Sequence, residues 1–115
     1  PSKVFSPEKP TRVLLSQPKN YPTELVAALT RCFQSMRQVR RAYLAHCLFA
    51  APSEKPHTLI GLEVSGDWHQ VAASAGMVAQ SVEVPHPPVD FMQMTGKSGV
   101  ENYFKSVKPF YDAKP

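Results

Sequence analysis

Apolar positions along this chain switch between two spacings, and each switch marks an element. Val13, Leu14 and Leu15 predict a short strand over residues 12–17. Tyr21 is pushed out of helical geometry by the proline that follows it, and Pro22 suits the first helical position. Glu24 then lies in the first turn, where it favours the positive end of the helix dipole. Leu25, Leu29, Cys32, Phe33 and Met36 recur at helical spacing and form one buried stripe. From residue 39 to 50 the pattern is that of a central strand. It sets Val39, Arg41, Tyr43, Ala45, Cys47 and Phe49 on one face, and Arg40, Ala42, Leu44, His46 and Leu48 on the other. Its alanine content leaves helix open there. A turn-rich segment leads to a clearer strand at 58–64, which alternates and is expected to pair antiparallel with its predecessor.

Asp67 with Gln70 three residues on reads as a capping box for a second helix, whose stripe is Val71, Ala75, Val78 and Val82. The prolines of VPHPPVD force an extended connection to a last strand at 89–94. Ser98 and Glu101 repeat the capping-box pattern, and Val100, Tyr103, Phe104 and Val107 give a short third helix that Pro109 stops. The order βαββαβ plus a helix predicts an α+β fold, a ferredoxin-like split βαβ sandwich with helices on one face of a four-stranded sheet. An open α+β sheet of different strand order is the alternative.

The chain has 115 residues, the size of one domain with a proper core. Residues 1–11 read as an extended arm or linker, and 12–115 as the single domain. The start at Pro1, with no initiator Met, is expected of a processed product or an excised fragment. Twelve prolines fall at the arm, turns, one loop and the end, never inside a long apolar segment. No stretch approaches the roughly 18 apolar residues of a membrane span, so no membrane partner is expected. The first residues also lack a signal-peptide core. Cys32 and Cys47 sit in apolar segments and are expected to be small buried thiols, with the cytosol as the compartment. The net charge is +4, and basic residues outnumber acidic ones up to Arg41. Arg37, Arg40 and Arg41 are therefore candidates for anion binding, against the plainer reading of a solvated face.

Candidate chemistry is sparse. Ser65, Ser74, Cys47, His46 and His69 are nucleophiles or bases in composition, but no G-x-S-x-G turn frames any of them. His46 and Cys47 are strand neighbours and point to opposite faces. Cys32, Cys47, His57, His69 and His86 lack the short paired spacings of zinc sites. Glu63 and Asp90 raise a paired-carboxylate reading. Gly96-Lys97-Ser98 echoes the end of a phosphate loop without its upstream glycine, so a turn into a helix cap is the simpler reading. Pro85-His86-Pro87-Pro88 fits P-x-x-P, although a rigid loop explains it. The predicted topology resembles RNA-recognition domains, but their aromatic motif does not occur, and nucleic acid is not expected as a partner.

YPTELVAAL, VRRAYLA, LIGLEV, VDFMQM and the terminal PFY occur in an order that resembles the carboxy-terminal domain of the SseB family, bacterial proteins named for enhanced serine sensitivity. The resemblance spans about residues 12–111. It implies a bacterial cytoplasmic protein without a defined biochemical activity and with another domain ahead of this one. It transfers no catalytic residues, and the family name implies a phenotype rather than serine binding. The expected function is therefore a non-catalytic protein-interaction or regulatory domain, with no cofactor and with a protein partner or self-association. The aromatic end, Tyr103, Phe104, Phe110 and Tyr111, is the candidate interaction surface. Small-molecule (amino-acid) sensing and RNA binding are the alternatives.

Overall fold

The computed structural model describes residues 13–50, 54–96 and 99–113, and the backbone of Lys3–Val4. The rest of the predicted arm, Arg12, Lys97 and Ser98 lie outside the described residues. In chain order the elements are β1 (Lys3–Val4), β2 (Val13–Ser16), α1 (Thr23–Gln34), β3 (Val39–Phe49), β4 (His57–Val64), α2 (Trp68–Gln80), β5 (Val89–Gln93), α3 (Glu101–Lys105) and β6 (Tyr111–Asp112). The strands form one mixed sheet in the order β1-β5-β4-β3-β2, with β6 also paired to β3.

The predicted α+β class holds, but this order departs from the ferredoxin-like arrangement. The first strand–helix–strand unit joins antiparallel neighbours, β2 and β3, instead of parallel strands split by a third. The reason lies in lengths. β2 pairs only with the far end of β3, from Val13↔Phe49 to Ser16↔His46. Residues 39–45 of β3 therefore extend about 23 Å beyond it at strand rise. The twelve residues of α1 span about 18 Å, so the helix can carry the chain along that overhang without crossing the sheet. β6 fills the same edge, with Arg41↔Asp112 and Ala42↔Tyr111. The second unit, β4-α2-β5, is an ordinary parallel crossover.

Two cores follow from the strand alternation. Ala42, Leu44, Ile60, Leu62, Val89 and Phe91 face α1 and α2, meeting Leu25, Leu29 and Phe33 from one helix and Val71, Ala75 and Ala79 from the other. Tyr43, Ala45, Cys47, Leu59 and Met92 form the opposite face, where Phe104 of α3 packs on them. Helices were expected on one face only; α3 covers the other. The Asp67 cap is present, its carboxylate accepting from Gln70 N at 3.2 Å.

A register shift between Val39 and Arg41 changes the predicted faces of β3. The extra residue, Arg40, slips the alternation by one. Val39 thus joins Ala42 and Leu44 in the first core, while Arg41 stays on the face of Tyr43.

Candidate functional site

The most concentrated chemistry lies on the second face. His57 opens β4 directly opposite Cys47 of β3, and both side chains are buried. Asp90, opposite Leu59 on β5, is also buried. His57 Nδ1 donates to Asp90 Oδ2 at 2.6 Å, and Nε2 lies 3.3 Å from Glu54 Oε1. The Phe49 ring closes edge-on against the imidazole at 4.7 Å between centroids. Cysteine, histidine and aspartate thus share one face of neighbouring strands, but not as a nucleophile requires. Burial, and then the charge of Asp90, push the Cys47 thiol up to about 11. A working thiolate needs the opposite shift. The second ring nitrogen is turned to Glu54. The group is built to hold β4 to β5.

Glu63 and Asp90 are not a pair. Glu63 accepts from Arg41 Nη1 at 3.1 Å and from the Tyr43 hydroxyl at 3.2 Å, further along β4. Burial and the nearby Glu63 charge raise the Tyr43 phenol above its ordinary value. Arg41 also approaches Asp112 with Nε at 3.5 Å, and Glu63 and Asp112 together raise its basicity. Arg37 and Arg40 are exposed and form no ion pair among the described residues. The bulge brings Arg40 and Arg41 to one cleft of about 470 Å³, which Lys105 also borders. Simple alternation had set the two arginines on opposite faces.

The four aromatic residues of the predicted interaction surface are divided between the two faces. Phe104 is fully buried, 5.6 Å from the Tyr43 ring, and Tyr103 stands edge-on to it. The Tyr103 hydroxyl accepts from Gln17 Nε2 at 2.9 Å. Phe110 and Tyr111 pack on the first core beside Phe33, and the Tyr111 hydroxyl donates to Phe33 O at 3.2 Å.

The family model for the SseB protein C-terminal domain matches residues 7–113. The chain belongs to the SseB family. This SseB domain is 28% identical over 105 residues to Protein SseB of Escherichia coli (strain K12) and, to the same extent, to Protein SseB of Shigella flexneri. Each alignment covers 89% of this chain and 40% of the relative, so the chain spans well under half the length of the curated relatives it matches. No solved structure matches it.

The remaining candidates of the SseB domain fall apart in space or serve the fold. Ser65 and His69 are exposed, and no three His, Cys, Asp or Glu side chains converge on a metal position among the described residues. His46 meets His86 edge-on at 4.7 Å; burial, and then His86, lower its basicity. The proline loop is tied to β4, since Thr58 donates through Oγ1 to His86 O at 3.0 Å and through N to Pro88 O at 3.2 Å. Glu101 is buried and accepts from Thr95 N at 3.1 Å and Gly96 N at 2.8 Å, so its carboxylate ties down the turn before α3. Among the described residues, no helix is long and apolar enough to cross a membrane.

The raised Cys47 thiol has a direct test. Iodoacetamide at mildly alkaline pH is expected to label the partly exposed Cys32 first, and Cys47 only as fast as the protein unfolds. Native-state labelling of Cys47 at the rate of a free thiol would contradict its structural role.

Proposed function

We propose that this SseB domain is a non-catalytic interaction module, and that a partner polypeptide adds as a further strand to the outer edge of β2, which pairs with β3 alone among the described residues. The observation that carries this reading is the state of that edge. β2 ends the sheet order, and Leu14 on it is 64% exposed, directly opposite Leu48 at 37%. Proteins usually blunt such an edge with charge, proline or a covering segment, because its free backbone groups template another strand. Val13–Ser16 has none of these residues. Strand addition draws affinity from main-chain hydrogen bonds and specificity from alternate side chains, here Leu14. Of the aromatic end, Phe104 is buried and Tyr103, Phe110 and Tyr111 are partly buried, whereas Leu14 is exposed, and this favours the β2 edge as the surface.

The free thiols of Cys32 and Cys47 support a cytoplasmic location. RNA binding has less support, because recognition on a sheet needs exposed aromatic rings, and Tyr43 and Phe91 are buried.

Affinity capture from a bacterial lysate tests the proposal when run with three proteins: the unmodified chain, Leu14→Glu and Met77→Glu. Met77 is 75% exposed on α2 and serves as the control. A stoichiometric protein, or a second copy of the chain, should be retained by the unmodified and Met77 proteins and lost with Leu14→Glu. Equal retention by all three would overturn the β2 edge. A strictly monomeric chain that retains a small metabolite and no protein would overturn the interaction module itself.

A further inference from the structure

We propose that the cleft at the β3 bulge binds a small organic oxyanion, a carboxylate or phosphate carried on a short apolar body. The cleft, about 470 Å³, lies within the range of about 300–1,000 Å³ usual for small-molecule sites. Arg40, Arg41 and Lys105 border it, and Val64 and Met94 supply apolar wall.

The bulge is what makes the site. On a regular strand, Arg40 and Arg41 would point to opposite faces. The extra residue between Val39 and Arg41 turns both toward one space, as bulges do where a side chain must be re-aimed.

Arg41 is held in place before any ligand arrives. Its Nη1 donates to Glu63 and its Nε lies against Asp112. Glu63 and Asp112 take Nη1 and Nε, and the Nη2 donors remain for an oxyanion. Arg40 and Lys105 are exposed and form no ion pair among the described residues.

Two carboxylates also line the cleft, and both are engaged by the protein. Glu63 takes Arg41 and the Tyr43 hydroxyl; Glu101 takes the Thr95 and Gly96 amides. Neither is left as a bare anion facing the ligand. Arg40 and Lys105 add two positive charges at the rim that no carboxylate pairs among the described residues, and these carry the attraction for an anion.

The test is a titration of the full 115-residue chain, followed by amide NMR, with inorganic phosphate and with succinate. Sodium chloride at matched ionic strength is the control. Saturable shifts at Arg40, Arg41, Gly96 and Lys105 are expected with at least one anion, and the tighter of the two identifies the headgroup. Arg40→Ala/Lys105→Ala should weaken that binding about tenfold or more, the loss of at least one charge-assisted contact. Both side chains are exposed, so the melting temperature should hold. Shifts that chloride reproduces, no shifts at all, or saturable binding unchanged in the double variant would each overturn the site.

Discussion

Asp90→Ala lowers the stability of this SseB domain by about 1–3 kcal/mol, the usual cost of leaving a buried hydrogen-bonding group without its partner. The substitution strips the 2.6 Å bond from His57 and leaves the imidazole buried between Glu54 and the Phe49 ring. His57→Ala is expected to cost a similar amount, and the double variant less than the sum, because both remove the same interaction. An apolar replacement of the whole pair, His57→Phe/Asp90→Leu, should be far milder than either single change. Urea unfolding of the four proteins reads these differences. Single variants within about 1 kcal/mol of the parent, the ceiling typical of an exposed pair, would show that the contact does not hold β4 to β5.

A methyl group at Gly61 is expected to destabilise the fold by about 1–3 kcal/mol, the range for overpacking a filled core. A β-carbon there would stand 2.7 Å from Phe104 Cε2, and this ring is fully buried against Tyr43. Gly61 is therefore the notch in β4 that lets α3 sit on the second face. Phe104→Ala should cost about 3–5 kcal/mol by leaving a cavity. The informative variant is Gly61→Ala/Phe104→Leu, in which the smaller side chain yields to the methyl group and regains part of the loss. Thermal unfolding of the set decides it. A neutral Gly61→Ala, or no regain in the double variant, would contradict the packing of α3.

Much of this fold was legible in the sequence because its longer elements carry strong periodic signals. Leu25, Leu29 and Phe33 mark the buried side of α1, and all three are fully buried. The Asp67 cap and the Val71–Ala75 stripe placed α2, and alternation placed β4. Strand order was not legible, since it turns on α1 matching the overhang of β3, a relation of lengths that no local pattern expresses. β1 and β6 have two residues each, too short for any period. The bulge at Arg40 broke the alternation that assigned Arg40 and Arg41 to opposite faces, so the cleft they share was hidden. The His57–Asp90 bond required the register of β4 on β5, without which neighbouring strands alone raised Glu63 as a partner for Asp90. The division of the terminal aromatics between the two faces was hidden for a related reason. Tyr103 and Phe104 precede the break at Pro109, while Phe110 and Tyr111 follow it and return along β3 on the other side of the sheet.

The most direct test of the proposed docking edge is amide hydrogen exchange on the complex recovered with the unmodified chain. Strand addition at β2 should slow exchange at Leu14 and its neighbours in Val13–Ser16, and leave the outer face of α2 around Met77 unchanged. Unchanged exchange across β2, with new protection on α2 or around Arg40 and Lys105, would place the partner elsewhere and contradict the account.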